Sequence, residues 1–232
     1  MYNYLKLKYK SLTQKKISYS YNGIDSLIAN IFKNKKNGIY IDVGCNHPIK
    51  NNNTFLLYKK GWRGINIDAD SKSIKIFNYA RPLDYNVNIA VSEKNGFENL
   101  FFYHEGSSIN TLSNDVSAYQ KAKVSKVLEV KTQSLNYILD NSPFKNFTID
   151  FLSIDVEGSE MKVLKDFNFP KFLPKVIVVE FLDLNLKKLE IKNLNIENVI
   201  KSDLYKLIIS KDYTLANWLH SDLVFINNSF KD

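Results

Sequence analysis

Glycine, proline and cysteine are all scarce in this chain of 232 residues, at 8, 5 and 1. A lone cysteine, Cys45, excludes an intrachain disulfide and a cysteine-built metal centre, and it suits a reducing compartment. No apolar run approaches about 18 residues, so no membrane-spanning helix is expected. The N-terminal stretch "MYNYLKLKYKSLTQKK" is basic but has no continuous apolar segment behind it, so it does not read as a signal peptide. Its Tyr/Leu/Lys alternation leaves peripheral membrane contact open beside a plain solvated tail. Repeats and low-complexity linkers are missing too. An N-terminal extension over 1–22 and one domain over 23–232 are therefore expected.

Apolar residues make up 44% and charged residues 24%, the balance of a soluble globular chain. Lys+Arg 32 against Asp+Glu 24 gives a net charge of +8. That favours solubility and attracts anions without choosing among them. Lysine and asparagine are frequent throughout, so the charge is partly compositional.

Apolar runs and helical spacings alternate. "GIDSLIANIFKN" spaces Ile24, Leu27, Ile28 and Ile31 as one helical face. "IYIDV" (39–43), "GINID" (64–68), "NVNIAVS" (86–92), "IDFLSIDV" (149–156) and "KVIVVEF" (175–181) read as strands. Between them, "NTFLLYKKG", "SKSIKIFNYA" (with Ser71 as N-cap), "SLNYILDN" and "SEMKVLKDF" read as helices. "NLFFYH" and "VLEVKTQ" are further strand candidates, with a helix around 115–122. A helix near 195–207 follows, then "YTLANWL" and "DLVFINN", too close together for anything but a hairpin. Alternating strands and helices predict a parallel α/β sheet whose ligand crevice lies at the carboxyl ends of the strands.

Carboxylates sit at those ends: Asp42, Asp68, Asp155 and Glu180. Alone, each could cap the following helix. Together on one sheet edge they need an oppositely polarised ligand, because burying charge is costly. Asp68, ending the second strand, suits ribose hydroxyls. The first turn, Gly44-Cys45-Asn46-His47-Pro48, lacks the glycines of a pyrophosphate loop, and Pro48 has no amide to donate. It suits a phosphate-free adenosine cofactor such as S-adenosylmethionine, with Asp42 and Asn46 near its amino-acid part.

"YIDVGCNHP…NTFLLYKKGWRGINIDAD", "RPLDYNVNIAVSEKNG" and "TQSLNYIL…IDFLSIDVEGSEMKVLKDF" resemble the FkbM family of S-adenosylmethionine-dependent methyltransferases. The resemblance runs over roughly 18 to 182. It implies the class I methyltransferase fold, a Rossmann-like seven-stranded sheet with helices on both faces and a C-terminal antiparallel hairpin. It further implies O-methylation, commonly of a sugar or natural-product hydroxyl. Asp42, Gly44 and Asn46 match the family's first motif. Asp68 stands where glutamate is commoner, and Ala69 where proline is usual. Asn88 through Val91, Ala90 included, match the segment beside the adenine. Asp155, Glu157, Gly158 and Glu160 match the "D.EG.E" block.

Methyl transfer needs the acceptor oxygen held in line, and a sugar hydroxyl needs help losing its proton. Asp155 is the leading base and also adjoins the cofactor's methyl; Glu157 and His47 are further candidates. No metal is required by this reading, although Asp155 and Glu157 could ligate Mg²⁺ or Ca²⁺. Glu160 reads as a cap or a salt-bridge partner, His104 and His220 as ordinary histidines, and "GSSINTLS" (106–113) as a solvated loop or a lining of the acceptor pocket. Trp62 and Arg63 could meet a sugar or phosphate, or simply pack. Asp25 is expected near the cofactor. The expected acceptor is a small molecule or glycan, an anionic one included, in the cytoplasm. Two rivals stay open: an RNA ribose 2'-O-methyltransferase, and a nucleoside- or partner-binding domain without turnover. Nucleic acid is not expected, since no basic run interleaves with aromatics. The oligomeric state is not legible.

Overall fold

The computed structural model describes residues 18–119, 122–184 and 194–230. The basic stretch before residue 18 lies outside them, as does the end of the helix expected around 115–122. Strands β1 (Ile39–Val43), β2 (Arg63–Asp68), β3 (Tyr85–Asn88), β7 (Phe151–Ile154), β8 (Val176–Glu180), β9 (Tyr213–Leu219) and β10 (Asp222–Asn227) form a seven-stranded sheet. Its order is β3-β2-β1-β7-β8-β10-β9. The first five are parallel; β10 runs antiparallel to β8 and pairs with β9 as the expected hairpin. The fold is that of the class I methyltransferases.

Strand parity sorts the core into two layers. Ile41, Val43, Ile65, Ile67, Leu152 and Ile154 face one side. There they meet helices α5 (Leu135–Asp140), α6 (Glu160–Leu164), α8 (Ile196–Lys201) and α9 (Asp203–Ile209). Tyr40, Phe151, Val176 and Val178 face the other side. They pack against α1 (Ile24–Ile31), α2 (Phe55–Lys59) and Trp62. Trp62 is thus a core residue, and its candidate contact with a sugar falls away.

Three details depart from the sequence reading. "NVNIAVS" is two strands: β3 belongs to the large sheet, while β4 (Ala90–Val91) crosses to a second sheet. That sheet has the order β4-β6-β5, built with β5 (Gly96–Phe102) and β6 (Lys126–Gln133). Between β5 and β6 lie the 106–113 loop and α4 (Asn114–Tyr119). The N-cap of α3 (Ser71–Ala80) is Asp70, whose carboxylate accepts from the Lys72 amide at 2.9 Å. Pro170 occupies the first turn of α7 (Phe169–Phe172), a short helix the sequence reading did not separate.

Candidate active site

The exits of β1 and β7 lie side by side. Gly44 has φ 79°, and a β-carbon there would stand 1.7 Å from the Asp155 carbonyl oxygen. Only glycine fits both demands. The amides of Gly44 and Cys45 both donate to the Ile67 carbonyl, at 2.9 and 3.1 Å. The Asn46 amide donates to Asp68 Oδ2 at 2.8 Å. Three successive N–H groups are therefore used within the protein. A pyrophosphate cradle would need them free.

Asp68 and Asp42 lie on the same edge, on adjacent parallel strands. Asp68 Oδ1 takes the Asp70 amide at 2.7 Å. Both oxygens are engaged once, and each keeps capacity for another donor. Burial pushes the Asp68 carboxyl up to about 6, against the pull of its two amide donors. Asp68 closes one end of a narrow slot with apolar walls from Val43, Ile67, Ile89, Ala90, Val91 and Leu100. Apolar walls suit a flat base, and a carboxylate at the end suits vicinal hydroxyls.

The side chains of Asn88 and Asp42 are both engaged within the protein. The Asn88 amide group donates to the carbonyls of Asp68 and Ala69, at 2.9 and 3.0 Å, and so braces the end of β2. Asp42 shares the parity of Tyr40 and points beneath the turn. Its Oδ2 accepts from Asn52 Nδ2 at 3.0 Å and Thr54 Oγ1 at 2.8 Å. Arg81, fully buried, completes this layer: Nη1 donates to Thr54 Oγ1 at 2.8 Å and Nη2 to Asn52 Oδ1 at 2.6 Å. Its Nε reaches the Pro48 carbonyl at 3.0 Å. Asp42 is thus a support of the 44–54 loop and does not line the slot. Arg81 was missed in the sequence; its signal was that it is one of only two arginines in a chain that otherwise uses lysine. Asp25 is also redirected. It binds Ser18, Tyr19, Ser20 and Ser26, at 2.6 to 2.9 Å, and ties down the segment before α1.

β7 ends at Ile154, so Asp155 and Glu157 both lie in the turn beyond it. Glu157 has φ 53°, an uncommon value for a residue with a side chain. The conformation is held from both sides. Thr111 Oγ1 donates to the Glu157 carbonyl at 2.6 Å. Glu160 Oε1 accepts from the Val156 and Gly158 amides, at 3.1 and 3.0 Å, which makes Glu160 the expected cap. Asp155 is open to solvent on the cleft side, with protein packed around its other sides. Burial, then Asp222 and Glu160, raise its carboxyl well above the usual range. Burial, then Asp155 and Glu160, do the same to Glu157.

Beyond Asp155 the slot widens into a cleft of about 830 Å³, lined by His47, Asn51, Asn53, Glu180, His220 and Asp222 among others. Asp155, Glu157, Gly44, Asn46 and Ser108 line both compartments. The "GSSINTLS" loop, expected to be solvated, covers the slot through Ser107, Ser108, Asn110 and Leu112. It is tied to α3 by the Gly106 amide, which donates to Asp70 Oδ2. His47 faces the cleft, but its Nδ1 accepts two backbone amides, from Ile49 and Lys50, both at 3.1 Å. The neutral ring then carries its proton on Nε2 and offers a donor. Burial and the neighbouring Lys50 and Arg81 also push its pKa down. The geometry does not make His47 the base. His220, read as an ordinary histidine, lines the cleft beside Tyr21, with ring centroids 6.1 Å apart.

An open α/β sheet of this strand order, with a phosphate-free turn and an acid on the second strand, defines the class I methyltransferase architecture. The chain belongs to the FkbM methyltransferase family, whose domain model matches residues 42–207. No curated protein matches the chain significantly. Among solved structures it is similar to a methyltransferase FkbM from Methylobacillus flagellatus, at 13% identity and a TM-score of 0.47. That match covers 82% of this chain and 44% of the other, so the chain spans less than half its length. A TehB-like SAM-dependent methyltransferase from Corynebacterium glutamicum matches at 12% identity and a TM-score of 0.45, over 97% of both chains. A type 11 methyltransferase from Sulfolobus solfataricus, described as putative, matches at 13% identity and 0.39, over 92% and 96%.

Proposed function

We propose that this protein is an S-adenosylmethionine-dependent O-methyltransferase acting on a sugar hydroxyl, in a glycan or a nucleotide- or lipid-linked precursor. The observation that carries this reading is the position of Asp155, on the boundary between the apolar slot and the polar cleft.

S-adenosylmethionine, when bound, supplies an electrophilic methyl group. The residues present fit it: Asp68 to accept from ribose hydroxyls, Ile89 and Ala90 to flank the adenine, and the Gly44–Asn46 turn beside the methionine end. Asn88 braces the slot, and Asp42 supports it from below through Asn52 and Thr54. In the cleft, Asn51, Asn53, His47 and His220 offer donors and acceptors for a polyhydroxyl ligand. Asp155 accepts the acceptor hydroxyl's proton, and a carboxyl pushed up toward neutrality is better matched to that transfer than an ordinary one. Glu157, held on the same wall, orients the hydroxyl. The acids of the cleft disfavour a polyanion such as RNA, while Lys50 at its side can take one anionic end of a precursor.

A cytoplasmic setting goes with this reading. Among the described residues, no helix is long and apolar enough to cross a membrane. The test is incubation with S-adenosylmethionine and a panel of free, nucleotide-linked and lipid-linked sugars, with products identified by mass spectrometry. A methyl ether on a sugar is the expected product. Methyl transfer to nitrogen or carbon acceptors, with none to hydroxyls, overturns the proposal.

A further inference from the structure

Three side chains at the floor of the cleft are poorly explained by base catalysis alone. Asp155, Glu157 and Glu180 each direct one carboxylate oxygen to a common spot, all within 4.8 Å of one another. Like charges this close repel, and the usual remedy is a neighbouring lysine or arginine. Among the described residues, no ion pair reaches any of the three. Glu180 is the sharpest case. It ends β8 with only 8% of its surface exposed, and its Oε2 is buried with no hydrogen-bond partner. An orphaned buried carboxylate oxygen costs several kcal/mol. Asp222, paired with Glu180 across β8 and β10, adds another acid to the same floor. Among the described residues, the one side-chain donor to Asp222 is Asn22 Nδ2, at 3.4 Å, and it serves Asp222 alone.

We propose that Asp155, Glu157 and Glu180 form a binding site for one hard divalent cation, of the Mg²⁺ or Ca²⁺ kind. All three donors are carboxylate oxygens, which favours a hard ion over a soft one. Two ligands on opposite sides of a Ca²⁺ ion stand about 4.8 Å apart, from bonds of about 2.4 Å, so oxygens that all lie within 4.8 Å of one another are close enough to share one ion. Glu180 and Asp155 come from the ends of adjacent strands, and Glu157 is fixed by the turn, so little reorganisation is needed. The cleft side stays open for water or a further oxygen ligand. The ion's catalytic role rests on the proposed O-methylation: it would hold the acceptor hydroxyl and make its proton easier to lose.

The competing explanation is that the carboxyl groups share protons and hold no ion. Binding to the chelator-treated full chain, without methyl donor or acceptor, separates the two. Manganese is titrated by electron paramagnetic resonance, and Mg²⁺ and Ca²⁺ by calorimetry. One ion per chain is expected, with Mg²⁺ or Ca²⁺ displacing manganese. Glu180→Gln should weaken binding at least tenfold, while S-adenosylhomocysteine affinity stays within about twofold. Glu180→Gln should also melt above the wild type without cation, because a repulsive charge is gone, and only the wild type should gain stability on adding the ion. Asp155→Asn should lose the ion as well. No binding to the wild type at millimolar cation overturns the site, as does equal binding by both variants. Hydroxyl methylation that survives chelation removes the ion's catalytic role and leaves the methyltransferase reading intact. A bound ion without methylation of any hydroxyl leaves the site and removes that reading.

Discussion

Gly44 and Asp155 touch through their backbones: a β-carbon on residue 44 would lie 1.7 Å from the Asp155 carbonyl. The first strand's turn and the fourth parallel strand's end are thus built as one object, and the slot depends on their contact. Gly44→Ala would force both a left-handed backbone and a steric overlap. The expected loss is about 3 kcal/mol of stability, read by chemical denaturation, together with loss of S-adenosylhomocysteine binding.

Asp68 holds the slot's end through two amide donors and keeps acceptor capacity for a ligand. Asp68→Ala should weaken S-adenosylhomocysteine by at least tenfold, about 1.4 kcal/mol, in calorimetry. Unchanged affinity would remove Asp68 from the cofactor site.

The same residue gives a pH dependence. Its carboxyl sits at about 6 in the folded chain, above the ordinary 3.8. Ribose hydroxyls are bound best by the ionised form, so affinity should hold above pH 6 and fall below it. With only the ionised form competent, binding at pH 5 should be about tenfold weaker than at pH 7. In the free protein the sign is opposite. The raised carboxyl favours the fold at acid pH, and that contribution is lost as pH climbs from about 4 through about 6.

Asp155 stands between the two compartments. Asp155→Asn should abolish turnover while S-adenosylhomocysteine binds within about threefold of the wild type. Turnover near the wild-type rate would remove Asp155 from the mechanism.

Arg81 ties together Pro48, Asn52 and Thr54 from a fully buried position. Arg81→Met leaves those acceptors and Asp42 without their cation. A loss of about 3–5 kcal/mol is expected in denaturant melts. Arg81→Lys should recover only part of it, because one ammonium cannot reproduce the guanidinium's separate directions.

The parallel strands were legible because each is a short apolar run bounded by turns, and the hairpin because its strands are too close for a crossover. The small sheet was not. β5 and β6 are largely exposed on one face, so their apolar signal is thin. "NVNIAVS" looked continuous because a strand that changes sheets at Ile89 keeps its composition. The acids were placed on the correct edge, but parity decided which looked into the slot. Asp42 shares the side of Tyr40, and Thr54 and Asn52 meet it there. His47 carried a suitable side chain, yet the amides of Ile49 and Lys50 had claimed its Nδ1, and nothing in composition shows that. Glu180 was noticed as a strand-end acid, while its orphaned oxygen could be seen only in three dimensions.

The turn after β1 spends the amides of residues 44, 45 and 46 on Ile67 and Asp68. The chain's own carbonyl and carboxylate already hold these three amides, so a phosphate reaching the turn would find none of them free. Inhibitor chemistry should follow the same logic and build on uncharged adenosine cores.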